Sequence, residues 1–153
     1  MKKKIILAGI IGLICISCLF WFMYPSPYLE ELNQQEQKLY DQFHKNNDIY
    51  ILKNQDPKTI VRLYLYSIHQ EHYETTYHFY TTLHDEEDKK MFLKSASSQK
   101  EILYAFKFAS KPIMAGQNYA SIKMPSLFHD NVYFEMSKKD GIWLINEPPL
   151  SKE

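Results

Sequence analysis

Six histidines are the side chains in this sequence best suited to binding a metal ion or moving a proton. His69 and His72 are three residues apart and share one face of a helix. His72, His78 and His84 repeat every six residues. At about 100° per residue, each of these three points about 120° from the last, so they form no single cluster on a straight helix. His-Glu-x-x-His and paired Cys-x-x-Cys patterns do not occur. We therefore predict no metal site and no cofactor.

Carboxylates and a lysine offer the other candidates for acid–base chemistry. An isomerase or dehydratase needs a general base inside a cavity, with a pKa set by its burial. Glu135 and Lys107 lie on predicted strands, but the expected register puts Glu135 opposite the apolar face. His78 and Asp130 are candidates for a cavity mouth, although spacing singles out neither. The four glycines form no phosphate-binding loop. We predict no enzyme and no catalytic residue, with an isomerase- or dehydratase-like activity as the alternative.

Aromatic residues make up 15% of the chain, and they allow two interpretations. They fill a core, because such side chains dominate burial. Alternatively, four of them line an open pocket for an apolar ligand or a partner peptide. The candidates for that pocket are Tyr77, Phe106, Phe134 and Trp143. Tyr66 and Tyr80 are candidates for an exposed protein contact.

The first 24 residues are typical of a membrane anchor. Residues 5–24 contain no charge, and at about 1.5 Å per residue these 20 residues cross a hydrocarbon core of about 30 Å. Lys2, Lys3 and Lys4 favour a cytoplasmic amino terminus, and Trp21 and Tyr24 fall where an interfacial aromatic belt lies. The rest of the chain is therefore expected outside the cytoplasm.

Two alternatives to an uncleaved anchor stay open. A cleaved secretory signal has a shorter apolar region and a small-residue cleavage site, whereas this run continues through large side chains. A lipoprotein signal would end at Cys18, after Ile16 and Ser17, although Cys15 stands where leucine is usual. Cysteine also behaves as a small apolar residue, so both cysteines are explained as filler in a lipid-embedded helix.

Length and charge limit the remaining possibilities. The 153 residues suffice for one domain plus an anchor. Removing the three amino-terminal lysines from the 18 basic residues leaves 15 against 18 acidic residues, a net charge of −3. Such a mildly acidic surface favours no nucleic-acid partner. With both cysteines in the apolar run, the domain forms no internal disulfide.

Helices are predicted for the middle of the chain. Pro25 and Pro27 break the anchor helix, and a second helix is expected from Tyr28 to about Lys45, with Glu36 interrupting its apolar stripe. Residues 46–48 end it, and residues 49–52 dock on the core. Asp56 and Pro57 are placed to begin the next helix, which continues as two helices to Leu83 with a bend near residues 70–74. Acidic residues 85–88 begin a further short helix.

Strands are predicted for the last third of the chain. Residues 95–98 form a loop, and alternation from Ile102 through Phe108 predicts a strand. Further strands are expected at Tyr119 to Met124, Val132 to Lys138 and Ile142 to Asn146, with turns at residues 116–118 and 129–131. Asp140 and Gly141 predict a two-residue hairpin. That turn pairs Lys139 with Ile142, Lys138 with Trp143, Ser137 with Leu144 and Met136 with Ile145. Phe134, Met136, Trp143 and Ile145 then share one face, which we assign to the concave, helix-facing side.

This order of elements resembles the nuclear-transport-factor-two-like superfamily. The features that carry the resemblance are Asp56-Pro57 with Val61, Tyr64 and Leu65, the segment Tyr73 to Tyr77, and the closing run from Asp140 to Ile145. The resemblance covers about residues 56–148 and implies a cone-shaped α+β domain whose antiparallel sheet curls around its helices. Small bacterial members hang outside the membrane from an anchor or lipid. Others are isomerases, dehydratases, or assembly factors of secretion and conjugation machines.

Three regions and one function are therefore expected. Residues 1–24 form the anchor, residues 25–55 a juxtamembrane helix and linker, and residues 56–150 the cone-shaped domain. The protein is expected to be a non-enzymatic binding or scaffolding module of the bacterial envelope, with an envelope protein or a second copy of itself as partner. The alternatives are an assembly factor of a conjugation or secretion complex, and a small-molecule carrier or enzyme.

Overall fold

The computed structural model describes residues 26–81, 85–125 and 132–146. Within these ranges, no helix is both long enough and apolar enough to cross a membrane. The predicted anchor and the possible lipidation site Cys18 lie outside the described residues.

The described residues form five α-helices followed by a four-stranded antiparallel sheet, which confirms the α+β class. Short 3-10 helices occupy residues Ile49–Leu52, Ala96–Lys100 and Phe106–Phe108. The α-helices are α1 (Gln34–Asn46), α2 (Pro57–His69), α3 (Tyr73–Tyr77), α4 (Glu86–Ser95) and α5 (Glu101–Ala105). The strands are β1 (Ile113–Met114), β2 (Tyr119–Met124), β3 (Val132–Lys139) and β4 (Ile142–Ile145), in that order across the sheet.

Helix α1 begins later than the sequence predicts. The side chain of Asn33 accepts hydrogen bonds from the amides of Gln35 and Glu36, and the Glu36 carboxylate accepts one from the Asn33 amide. This reciprocal cap fixes the helix start at Gln34 instead of Tyr28. The end is as predicted, because Asn47 takes the left-handed conformation that closes a helix. Residues 49–52 follow as a 3-10 helix that buries Leu52, which confirms that this segment docks on the core.

Helix α2 begins as the sequence predicts. The Asp56 carboxylate accepts hydrogen bonds from the amide and the hydroxyl of Thr59, and Pro57 occupies the first helical position. The predicted bend is confirmed by the break between His69 and Tyr73. The second helix, however, ends at Tyr77 and not at Leu83. Tyr80 instead forms a parallel bridge to Ile145 of β4, so the sheet's hydrogen bonds draw the chain out of the helix.

Helix α4 follows the predicted acidic start. Asp85 caps it by accepting from the amide of Asp88, and Glu86 and Glu87 fill its first turn. Of its apolar side chains, Phe92 is buried, while Met91 and Leu93 are exposed.

The segment from Ser95 to Phe108 is helical, so the predicted loop and the predicted strand from Ile102 are both wrong. Ile102 and Phe106, four residues apart, are both buried, while Tyr104 between them is 80% exposed. That is the spacing of one helix face, whereas a strand would put all three residues on the same side. The first strand of the sheet is instead the two-residue β1.

The sheet has the predicted register. The pairs Lys139–Ile142, Lys138–Trp143, Ser137–Leu144 and Met136–Ile145 all occur, and β2 has its predicted bounds. Asp140 and Gly141 both have positive φ, at 53° and 86°, as a two-residue hairpin turn requires. Phe134 lies against Tyr64 of α2, with ring centroids 5.7 Å apart, so its face of the sheet meets the helices as predicted. The predicted turn at residues 129–131 lies outside the described residues.

One core joins the helices to this face of the sheet. The segment before Asp56 belongs to it, because Tyr28, Tyr40, Phe43 and Leu52 are all buried in the same cluster. Within that core the hydroxyls of Tyr64 and Tyr80 lie 2.7 Å apart and satisfy each other.

Candidate functional site

A cleft of about 520 Å³ lies between the segment that precedes α1 and the outer face of α2. Leucines form its apolar part, and the carboxylates of Glu30 and Glu31 are exposed beside them. This mixture of apolar and polar lining is typical of a binding cleft. The residues that line it are Tyr28, Leu29, Glu30, Glu31, Leu32, Gln37, Arg62, Leu65, Tyr66, His69, Gln70 and Leu103.

Arg62 is the buried charge of this cleft. Its Nε and one terminal nitrogen donate to the two carboxylate oxygens of Glu36, at 2.8 and 3.0 Å. The terminal nitrogens also donate to the backbone carbonyls of Pro27 and Glu31. The guanidinium therefore ties the segment before α1 to helix α2 with a bidentate ion pair and two further hydrogen bonds.

Glu36 also completes the amino-terminal cap of α1 that Asn33 begins. Burial alone would raise the pKa of its carboxyl. Hydrogen bonds from the Arg62 side chain and the Asn33 amide, together with the charges of Arg62 and Lys58, hold that pKa below its usual value. The carboxylate is therefore charged at neutral pH and neutralises Arg62, which leaves the cleft without an uncompensated buried charge among its described lining residues.

Beside the cleft, two histidines from different elements lie in contact. His44, in the last turn of α1, and His72, just before α3, stack with ring centroids 4.1 Å apart. The Tyr40 hydroxyl lies 2.8 Å from Nδ1 of His72, and the Thr75 hydroxyl lies 2.6 Å from Nδ1 of His44. Tyr66, which lines the cleft, packs edge-on against Tyr40 at 4.8 Å and so connects the two features.

The electrostatics at His72 favour an uncharged ring. Burial, and then the neighbouring His44, lower the pKa of His72. Burial, and then the nearby Tyr66 and Asp41, raise the pKa of Tyr40, so its hydroxyl keeps its proton. Tyr40 therefore donates to Nδ1 of a neutral His72. The protonation of His72 can respond to pH. The hydroxyls of Tyr40 and Thr75 already occupy the Nδ1 atoms of His72 and His44, respectively.

The other histidines lie apart from this pair. His69 is exposed on the cleft, and His78 is half-buried, with a pKa lowered by burial and then by Lys89. In the described part of the chain, no group of three or more histidine, cysteine or acidic side chains could hold a metal ion. His84 and Asp130 lie outside that part.

The four predicted pocket residues all lie in the core. Tyr77, Phe106, Phe134 and Trp143 are buried, and none of them lines the cleft. Phe106 and Phe134 pack edge-on at 5.0 Å, and the Lys138 ammonium lies 5.7 Å from the Trp143 ring centre. An apolar ligand between these side chains would require the core to open.

Glu135 and Lys107 do not face the core. Glu135 is exposed on the outer face of the sheet, as the register predicts, and the Tyr119 hydroxyl hydrogen-bonds to it. That hydrogen bond, followed by burial, raises the pKa of Tyr119 to about 12. Lys107 lies beside the Phe108 ring, with its ammonium 6.0 Å from the ring centre.

The Arg62–Glu36 pair and the His44–His72 stack are not among the features predicted from the sequence. The sequence contains a signal for the Arg62–Glu36 pair, because Glu36 interrupts an apolar stripe and Arg62 lies within an apolar helix. His44 and His72 lie on different elements, 28 residues apart in the chain, so spacing within a single helix gives no sign of their contact.

Comparison with known proteins adds no family to this description. The chain matches no protein-family model, no curated protein and no solved structure.

Proposed function

We propose that this protein is a single-pass membrane protein of the bacterial envelope, with a cytoplasmic amino terminus and an extracytoplasmic domain that binds a partner and catalyses no reaction. Residues 5–24 support the anchor, because 20 uncharged residues follow three lysines. The observation that carries the proposal is the set of Arg62 contacts to Pro27, Glu31 and Glu36. They join the segment after the apolar run to the domain and shape a cleft there.

The chemistry of the cleft favours a peptide segment of another envelope protein. Leu29, Leu32 and Leu103 offer apolar contact, while Glu30 and Glu31 would attract a basic residue beside it. Arg62 is already neutralised by Glu36, so among the described lining residues no uncompensated buried cation remains to select an anionic substrate. The ligand proposed is therefore a segment with apolar anchor residues and at least one lysine or arginine.

We further propose that the domain is of the nuclear-transport-factor-two-like kind, with a cone-shaped curvature of the sheet. Supporting this are the helices that precede an antiparallel sheet, the capped start of α2 at Asp56, and the closing hairpin at Asp140 and Gly141. The proposal concerns shape and ancestry and does not carry any activity of other members to this chain.

Location and binding can be tested on the full chain in a bacterial host. We expect the protein to resist alkaline extraction from membranes. A Tyr50→Cys variant, with Cys15 and Cys18 replaced by alanine, should react with a membrane-impermeant maleimide in intact cells. Recovery in the soluble fraction, or labelling only after lysis, would contradict the proposed location.

The cleft is tested by photo-crosslinking. A benzoylphenylalanine at Leu103 or Gln70 should form an adduct with a distinct envelope protein, and the same group at the exposed Lys94 of α4 should not. Replacing Glu30 and Glu31 by lysine should abolish the adduct. An adduct of two copies would favour the assembly-factor alternative, and lipid labelling that Cys18→Ala abolishes would favour a lipoprotein.

A further inference from the structure

The first described residues of the chain are fixed to the domain. Ser26 and Tyr28 are both only 3% exposed. The Tyr28 hydroxyl donates to the Ser110 carbonyl at 2.7 Å, and its ring packs edge-on against Phe106 at 5.4 Å. Because Arg62 also holds the Pro27 carbonyl, the segment is held at both its side chains and its backbone.

This attachment leaves little chain between the domain and the apolar run. The run ends at Tyr24, four residues before Tyr28. An extended chain covers at most about 3.6 Å per residue, so the two Cα atoms lie within about 14 Å. The headgroup layer on each side of a bilayer is about 5–8 Å thick. If residues 5–24 span the membrane, the surface around Ser110 is within reach of the headgroups.

That surface carries lysines and exposed aromatic rings. We call the group Lys107, Phe108, Lys111, Lys123 and Tyr133 the lysine–aromatic surface. Phe108 is 42% and Tyr133 is 52% exposed. In the chain, Ser110 lies between Phe108 and Lys111. It hydrogen-bonds to the backbone of Lys123 on β2, and Lys123 pairs with Tyr133 on β3. These contacts place the group at one end of the sheet, next to Tyr28.

The charged residues of the lysine–aromatic surface are all lysines. Residues 102–125 contain three lysines and no acidic residue. The acidic residue of β3 is Glu135, which lies two residues after Tyr133 on the same face and pairs with Ser121, not with Lys123. Asp130, in the connection between β2 and β3, lies outside the described residues. Lysine beside an exposed aromatic ring is the composition that favours an anionic membrane interface.

We propose that the lysine–aromatic surface docks on the anionic headgroups of the membrane that holds the anchor. The domain then lies on the bilayer instead of extending from it. This inference rests on the anchoring proposed above. The occupant is a lipid surface because the short connection allows this end of the sheet to reach the headgroups, and Lys111 and Lys123 complement their charge.

The test uses the full chain in vesicles of neutral lipid with a fraction of phosphatidylglycerol. Cys15 and Cys18 are replaced by alanine, and a bimane label is attached to Phe108→Cys or, separately, to Lys111→Cys. Tyr50→Cys is the matched control, because it is also an exposed aromatic position but lies on the 3-10 helix next to the hairpin, at the other end of the sheet. Lipids with a spin-labelled headgroup or upper acyl chain should quench the labels at 108 and 111 several-fold more than the label at 50.

Charge dependence separates docking from simple nearness. Quenching at 108 should fall when Lys111 and Lys123 are replaced by glutamine, in vesicles without phosphatidylglycerol, and at about 1 M salt, where the Debye length is about 3 Å. Equal weak quenching at 108, 111 and 50 in protein that floats with the vesicles would overturn this inference alone. Failure to float would overturn the anchoring on which it rests.

Discussion

The imidazole rings of His44 and His72 lie face to face, with centroids 4.1 Å apart and planes only 8° apart. Two neutral rings can stack in this way, but two imidazolium ions would repel each other at this distance. The contact joins the end of α1 to the connection between α2 and α3. Acidification should therefore loosen the attachment of α1 to the rest of the domain.

The first prediction concerns stability and pH. The pKa of His72 is lowered from its ordinary value of 6.5 by burial and then by His44, so the unfolded chain takes up this proton at a higher pH than the folded chain. The contribution of His72 to the free energy of unfolding should be fully present above about pH 6.5 and should be lost as the pH falls below that value. Urea unfolding between about pH 7.5 and pH 5.5 measures this slope. His72→Gln should flatten it, whereas His69→Gln, at an exposed position, should not. An unchanged slope in His72→Gln would contradict the prediction.

The second prediction concerns the Arg62–Glu36 pair. Arg62→Met leaves the Glu36 carboxylate in a largely buried site without its partner, and we expect a loss of about 3–5 kcal/mol in the free energy of unfolding. The double variant Arg62→Met with Glu36→Gln should be more stable than Arg62→Met alone, since it removes the uncompensated charge. Urea unfolding of four proteins, the wild type, Arg62→Met, Glu36→Gln and the double variant, measures the coupling. Simple addition of the two single effects would show that the pair is not coupled.

The third prediction distinguishes a helix from a strand at residues 101–108. Phe106→Ala should cost about 3–5 kcal/mol, because it opens a cavity in the core. Tyr104→Ala should change the free energy of unfolding by less than about 0.5 kcal/mol, because the side chain is exposed. Thermal or urea unfolding of both variants distinguishes the helix from the strand. In a strand, Tyr104 and Phe106 would both face inward, and the two variants would lose similar amounts of unfolding free energy.

The fourth prediction concerns the hairpin between β3 and β4. Gly141 has a φ of 86°, so Gly141→Ala should cost roughly 1 kcal/mol in strain. Asp140→Asn should be close to neutral, because asparagine accepts the positive φ of 53° at that position. Both variants are compared by urea unfolding. A stable Gly141→Ala would show that the turn can change its type without loss.

The features that the sequence predicted correctly depend on neighbouring residues. Asp56 caps α2 through Thr59, three residues away, and Asp140 with Gly141 sets the register of a hairpin whose strands adjoin it. In each case the interacting groups are close along the chain, so residue type and spacing suffice to specify the contact.

The features that the sequence did not predict depend on distant residues. Alternation at Tyr104, Phe106 and Phe108 is compatible with a strand, and only the burial of Ile102 with Phe106 favours the helix. Arg62 and Glu36 are 26 residues apart, and Tyr40 and His72 are 32 apart. Glu36 interrupts an apolar stripe in the sequence, but only the folded chain brings these partners together.

The hydrogen bond from Tyr28 to Ser110 also has a consequence for biosynthesis. Its two partners are 82 residues apart. At a typical synthesis rate of about 5–20 residues per second, the ribosome adds Ser110 roughly 4–16 s after Tyr28. Throughout that interval Tyr28 lacks its acceptor, although it is among the first residues of the domain to leave the ribosome. The amino-terminal segment of the domain is therefore made early and fixed in place late, after the five α-helices have followed it.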